Sequence, residues 1–237
     1  MSRLLYISNL GKQIQYIEKA VATYPELLQG EVDLCNMKKP PQWDAADVVL
    51  VTNMGVGLDS PFLERLERWL YAHHPKYWID VVEPKKTDIL YRNLDEDKRI
   101  FLESYRRTSG VMNYVRLING AFSTKPTSEW EEPDPIPWQA VMGREGNIYK
   151  TYDEFMDAEG HRDWSSIAVY FYRDEWIMGD IEYQQALFEE IYKRQYNPII
   201  FYGQYGSNPR VGIPNMKLSM NHLFGKDVFP FDVLINT

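Results

Sequence analysis

Asp47-Val48-Val49-Leu50-Val51-Thr52 is the stretch on which the fold turns. Its apolar run is continuous rather than alternating. A strand of that kind is buried on both faces, as in a parallel sheet covered by helices. Upstream, Arg3 to Ser8 reads as a short buried strand. Ile14, Ile17, Val21, Tyr24 and Leu28 then recur at spacings of three and four, which places them on one helical face. Glu31 to Asn36 is a weaker second strand. Downstream, Ser60-Pro61 opens a helix, with Ser60 as N-cap and Pro61 at the first helical position. Phe62, Leu66, Trp69 and Leu70 form its buried stripe, Pro75 closes it, and Tyr77 to Val82 reads as a fourth strand. Strand and helix in this repetition predict a doubly wound layered unit.

From Pro84 the pattern turns helical. Asp95, Glu96 and Asp97 suit a first helical turn, and Arg106 and Arg107 suit its end. Ser109 is placed to cap a further helix whose apolar face is Val111, Val115, Ile118 and Phe122. Ser123 to Gln139 then carries four prolines and four acids and has no period. Trp130 and Trp138 inside it imply that it packs on something. The last third restarts the alternation. Ile167 to Tyr172 is a buried strand, Asp180 caps a helix facing inward through Tyr183, Leu187 and Ile191, and Pro198 to Tyr202 is a strand. Met216 to Phe224 is a short helix and Phe231 to Thr237 a closing apolar strand. The expected organisation is an α/β head with C-terminal helices over 1–122, a Pro-rich acidic linker over 123–147, and the start of a second α/β domain over 148–237. Both units are expected to be Rossmann- or flavodoxin-like. The second reads as incomplete at its C-terminus because the series stops on a strand expected to be buried, with no obvious cap; the alternative is an edge strand that ends the fold.

The chain has 237 residues, 44% apolar and 25% charged. That balance excludes global disorder. A single cysteine, Cys35, excludes a disulfide scaffold. No apolar run approaches the ~18 residues of a membrane span. Met1 to Asn9 is too short an apolar stretch for a signal peptide. A formal charge of −8 argues against a nucleic-acid backbone as partner. A cytoplasmic protein with neither nucleic-acid nor membrane partners is expected. Aromatics at 14% suit large flat partners or an aromatic core.

Few motifs carry chemistry. Gly55-Val56-Gly57-Leu58-Asp59-Ser60 lies between a strand and a helix, where a loop can cradle phosphate, but its third glycine is Ser60 and such turns commonly serve without a ligand. His73 and His74 are adjacent at a helix end and share no helical face, so they chelate poorly. His161 and His222 lack metal-ligand spacing. Cys35 sits on a strand as a small buried residue. The strongest local feature is Phe171 to Asp180, just past a buried strand, at the sheet edge where open α/β sheets bind ligands. Tyr172, Arg173, Trp176 and Gly179 are its candidate substrate-binding residues. Arg173 offers a planar cation for carboxylates and Trp176 a stacking face. Equally, Arg173 can pair with Asp174 or Glu175 while Trp176 covers the sheet edge. No catalytic or metal-ligating residue is singled out.

Ile167 to Tyr202 resembles the large subunit of cobaltochelatase (CobN) and, more distantly, the H subunit of magnesium chelatase. The resemblance rests on Phe171-Tyr172-Arg173, Trp176, Gly179, the helix Asp180 to Gln195 and the strand Ile199-Ile200-Phe201-Tyr202. Phe231 to Asn236 matches the next strand, and Ala46 to Val51 an early one. Ser109-Gly110-Val111-Met112-Asn113 resembles the family's Gly-Gly-x-x-Asn helix start, with Ser109 for the first Gly. Gly146-Asn147-Ile148-Tyr149-Lys150 resembles Gly-Ile-Tyr-His-Pro, with Asn147 inserted and Lys150 where His is usual. The family's large subunits are far longer, so the resemblance implies an N-terminal portion, not active alone, that needs the remainder of the large subunit. It implies a tetrapyrrole substrate, insertion of cobalt into a corrin-type ring, and ATP hydrolysis on separate AAA-type subunits. No cofactor is expected in this chain itself. The rival expectations are a stand-alone tetrapyrrole- or partner-binding module, a chelatase relative for another metal such as Mg²⁺, and an unrelated flavodoxin-like or nucleotide-binding protein resting on Gly55 and Gly57.

Overall fold

The computed structural model of the protein describes residues 2–36, 46–52, 61–75, 77–80, 96–203, 214–225 and 229–236. The chain divides into two compact units, Met1–Pro135 and Ile136–Thr237.

The first unit contains β1 (Arg3–Ser8), α1 (Gly11–Thr23), β2 (Glu31–Asn36), β3 (Val48–Thr52), α2 (Pro61–His73), β4 (Tyr77–Asp80), α3 (Glu96–Thr108) and α4 (Val111–Phe122). Its sheet runs β2-β1-β3-β4, with every pair parallel. Tyr6 of β1 stands in register with Leu34 on one side and Leu50 on the other. This is the flavodoxin-like order, with the first strand inside and later strands added to either flank. β3 is buried along its whole length, as its unbroken apolar run requires. Leu5, Ile7, Cys35, Val49 and Val51 pack against Phe62, Leu66 and Leu70 of α2. On α1 and α4, the rings of Tyr16 and Tyr114 stack with centroids 4.9 Å apart.

Two local expectations change here. α1 buries Gln13, Tyr16, Ile17 and Ala20 instead of the aliphatic stripe through Ile14 and Val21. Tyr16 finds an aromatic partner and Gln13 a set of hydroxyls, so amphipathic side chains take the inward face. The helix stops at Thr23, ahead of Pro25, which leaves Tyr24 and Leu28 outside it. Ser109 does not cap α4. It is in the left-handed region at φ 64, followed by Gly110 at φ 89, and its hydroxyl donates back to the Arg106 carbonyl at 3.3 Å. α2 does begin at Pro61. Its expected cap Ser60, the Gly55–Gly57 turn, the end of the fourth strand beyond Asp80 and the start of the helical region from Pro84 to Asp95 lie outside the described residues.

The second unit contains β5 (Ala140–Met142), β6 (Ile148–Tyr149), α5 (Tyr152–Ala158), β7 (Ser166–Tyr172), α6 (Arg173–Met178), α7 (Glu182–Lys193), β8 (Asn197–Gly203), α8 (Met216–Phe224) and β9 (Val233–Asn236). The sheet order is β6-β5-β8-β7-β9. β7 pairs in parallel with both β8 and β9, while β5 is antiparallel to β6 and β8. The core gathers β5, β7 and β8 with Phe155, Phe188, Ile191 and Leu223.

The stretch 123–147 is not a free linker. Its first part belongs to the first unit: Trp130 lies edge-on to Phe101, and a Cβ on Gly120 would come within 3.0 Å of its ring. Asn113 accepts from the Asp134 amide at 2.8 Å and donates to the Asp134 carbonyl at 3.1 Å. Its last part supplies β5, whose three residues are buried. Burial of two tryptophan faces and of Ala140, Val141 and Met142 outweighs the polar, proline-rich composition. α7 buries Gln184, Phe188 and Ile191 and leaves Tyr183 exposed; Ile181, not Asp180, precedes it. β9, expected to be buried, has Val233, Leu234 and Ile235 exposed by 49%, 48% and 40%. It is the outermost strand of its sheet, beside β7.

Candidate functional site

β7 delivers Tyr172 to the carboxyl edge of the second sheet. The chain leaves β7 for β8 on one side and later returns to β9 on the other, so the strand order reverses at β7. Ligands of open α/β sheets bind outside the carboxyl ends of the strands at such a reversal. Tyr172 is 49% exposed there, with its ring edge-on to Tyr170 at 6.2 Å. Tyr170 is tied down by its hydroxyl, which donates to the Gly203 carbonyl at 3.2 Å. The sheet edge thus presents one free aromatic face on a fixed base.

α6 follows with no intervening loop, and Arg173 is its first residue. Its side chain turns inward and is 1% exposed. Nε donates to the Pro137 carbonyl at 2.8 Å and Nη2 to the Ile136 carbonyl at 3.1 Å. The guanidinium also lies over the Trp138 ring, 4.3 Å from its centroid. Arg173 therefore tethers the segment leading into β5, satisfying two carbonyls of a proline-rich stretch. Trp176 stacks on Tyr202 of β8 at 5.4 Å and 20°, and its Nε1 donates to the Gly146 carbonyl at 3.2 Å. The Tyr202 hydroxyl is buried without a hydrogen-bond partner. Burial pushes its phenol well above the ordinary range, against a smaller downward pull from the Arg173 charge.

Gly179 ends α6 at φ 73. Its N–H donates to the Trp176 carbonyl at 3.0 Å and that of Asp180 to the Glu175 carbonyl at 2.9 Å, a Schellman motif. A Cβ at Gly179 would meet nothing within 4 Å, so the glycine answers a conformational need and not a close approach. Gln184 donates to the Glu175 carboxylate and so locks α7 to α6. Of the four candidates, Tyr172 faces solvent, Trp176 is partly buried in a stack, Arg173 is internal, and Gly179 shapes the turn.

A second group of polar side chains was not foreseen. A cavity of about 440 Å³ is lined by Arg144, Asn147, Glu159, His161 and Tyr192. Glu159 accepts from the Tyr149 hydroxyl at 2.6 Å and from the Arg144 amide at 2.9 Å. The bond to Glu159 pushes the Tyr149 phenol up to about 12, with burial adding to it. His161 Nε2 and the Tyr192 hydroxyl are hydrogen-bonded at 2.8 Å, and the imidazole stacks on Trp164 at 3.9 Å. Arg144 lies over the Tyr192 ring at 4.6 Å and pairs with Glu189 at 2.9 Å. These residues come from β6, α7 and the connections around β6 and α5, with no common spacing. The only sequence signal for them is the Gly146 to Lys150 stretch. Among the described residues, no group of three or more His, Cys, Asp or Glu could hold a metal ion.

A family model for CobN/Magnesium Chelatase matches residues 103–237. The chain belongs to this family. The match takes in the Ser109, Gly146 and Ile167–Tyr202 stretches, and β3 falls outside it. An uncharacterized protein of Methanocaldococcus jannaschii is 29% identical over 154 residues, 62% of this chain and 12% of that protein. The catalytic subunit of cobaltochelatase from Mycobacterium tuberculosis has a similar fold, with a TM-score of 0.52 at 15% identity over 89% of this chain and 17% of that subunit. At that identity the likeness is one of fold. The chain thus spans only a small part of the length of either relative. No described helix is long and apolar enough to cross a membrane.

Proposed function

We propose that this chain forms part of a cobaltochelatase-like large subunit and contributes to holding the tetrapyrrole, or to subunit assembly, during ATP-dependent metal insertion. Cobalt and a corrin-type ring are the substrates, and ATP is hydrolysed on AAA-type partner subunits in the cytoplasm. The observation that carries the reading is the exposed Tyr172 ring at the strand-order reversal, inside the residues that match the chelatase family. A corrin is large, flat and edged with carboxylates or amides, so an exposed aromatic face on a rigid sheet edge suits it. Insertion also requires removal of ring N–H protons and of the metal's water. Those bases and ligands are assigned to the remainder of the large subunit. A relative that handles Mg²⁺ is the second reading, favoured by the family model itself, which joins the two chelatases.

The test is titration of the chain with hydrogenobyrinic acid diamide, followed by ring absorbance and tryptophan fluorescence. Saturable binding at ~1 μM or tighter, about −8 kcal/mol, is expected, with Tyr172→Ala weakening it roughly tenfold. Absence of binding by a chain with a native circular dichroism spectrum removes the ring-holding role. Pull-down of the ATPase subunits then decides whether the chain serves assembly.

A further inference from the structure

A cavity of about 440 Å³ lies along α4 in the first unit, and the chelatase reading does not use it. Met112, Val115 and Phe122 of α4 and the Trp130 ring give it an apolar floor, and Leu27 stands at its edge, 43% exposed. Both walls are pinned to the helices. On one side Asn119 accepts from the Gln29 amide at 3.0 Å and donates to the Leu27 carbonyl at 2.9 Å. On the other, the Tyr105 hydroxyl donates to the Glu131 carbonyl. Trp130 lies down on α4 because Gly120 leaves room for it; a Cβ at Gly120 would come within 3.0 Å of the ring. Walls held in this way keep the cavity formed before a ligand arrives. Its size falls in the range of about 300–1,000 Å³ that takes a small organic molecule.

The lining differs in charge from one end to the other. Arg116 is taken up by Glu131 at 2.9 Å and by Asp134 at 2.7 Å. Past the end of α4, Lys125 lines the cavity and is exposed, and among the described residues none pairs with its ammonium. Lys98 brings a second ammonium to this end, where it donates to the carbonyl of Ser123, another lining residue, at 3.1 Å. Glu129 also lines the cavity and offsets one of the two charges. An apolar floor with a cation at its end suits a ligand with an apolar body and a charged end.

We propose that this cavity binds a small amphipathic molecule, whose aromatic or aliphatic body lies on Met112, Val115 and Trp130 and whose single anionic group faces Lys125. An inorganic anion would leave the floor unused, and a neutral hydrocarbon would leave the ammonium unanswered. The site rests on neither Tyr172 nor the tetrapyrrole reading.

The probe is 8-anilinonaphthalene-1-sulfonate, an aromatic body with one sulfonate, titrated into the full chain and followed by its fluorescence. Saturable binding at one site per chain with a Kd of about 10 μM is expected. Leu27→Glu places a charge at the apolar edge and should weaken binding about tenfold, and Lys125→Glu about threefold. Both positions are exposed, so the circular dichroism spectrum stays native in each. Leu234→Lys, on the exposed apolar strand of the second unit, should bind as wild type does. No saturable binding, binding that Leu27→Glu leaves unchanged, or binding that Leu234→Lys also removes overturns the proposal. Binding that Leu27→Glu weakens and Lys125→Glu does not overturns the anionic end of the ligand.

Discussion

Gln195 and Gly179 perform the same backbone task with different side chains. Each is the left-handed residue of a Schellman motif, at φ 62 after α7 and φ 73 after α6. At Gln195 the next residue, Tyr196, donates to the Ile191 carbonyl at 3.4 Å. Glycine adopts this conformation freely, whereas glutamine is strained by its Cβ. Gln195 is exposed and its strain is offset by the bonds the motif makes. Gln195→Gly should therefore stabilise the second unit by about 0.5–1 kcal/mol, read as a higher urea midpoint at unchanged slope. Arg173 teaches a different lesson at this scale. Its residue type and position after a buried strand were legible in the sequence, and its burial was not. The carbonyls it serves belong to Ile136 and Pro137, far back in the chain and on no shared period.

Among elements, β3 and β7 were legible because an unbroken apolar run has one comfortable environment, the middle of a covered parallel sheet. Helix existence was legible as well, while the buried faces of α1 and α7 came out shifted. Their inward positions are held by Gln13, Tyr16 and Gln184, which count as polar or amphipathic in any periodicity and are buried here through specific partners. β5 was missed because three residues carry no period and lie just past four prolines. β9 was misjudged in burial because its apolar sequence gives no sign of how many neighbours it has. The contrast between strands predicts a contrast in cost. Ile200, on β8 between β5 and β7, is fully buried, so Ile200→Ala should cost about 2–5 kcal/mol. Leu234→Lys on β9 should leave stability within ~0.5 kcal/mol and lower any concentration-dependent association seen by light scattering. A large loss of stability in Leu234→Lys would show β9 to be a core strand.

For the whole molecule, alkali is the revealing condition. Burial pushes the Tyr6 and Tyr105 phenols of the first unit up to about 12, and the bond to Glu159 does the same for Tyr149 in the second. Unfolded phenols ionise near ~10. Between these values the unfolded chain has released protons that the folded chain still holds. The stability these groups contribute is complete below about pH 10 and falls as the pH rises toward 12. Absorbance at 295 nm should show a fraction of the seventeen tyrosines ionising only with loss of circular dichroism. Ionisation of all of them in one reversible step, with the fold intact, would contradict this arrangement. The strand orders were the part least legible in the sequence, since hydrogen-bonded neighbours are chosen across the chain, and they set how each sheet is assembled during synthesis. In β2-β1-β3-β4 every new strand joins an outside edge of what is already made. In β6-β5-β8-β7-β9 the strand β8 comes later than both of its neighbours and enters between them. Until residues 197–203 leave the ribosome, the β5–β6 hairpin and β7 share no ladder, and each keeps an open edge toward the other. The second unit thus waits on one late insertion to join its two halves, whereas the first can grow strand by strand.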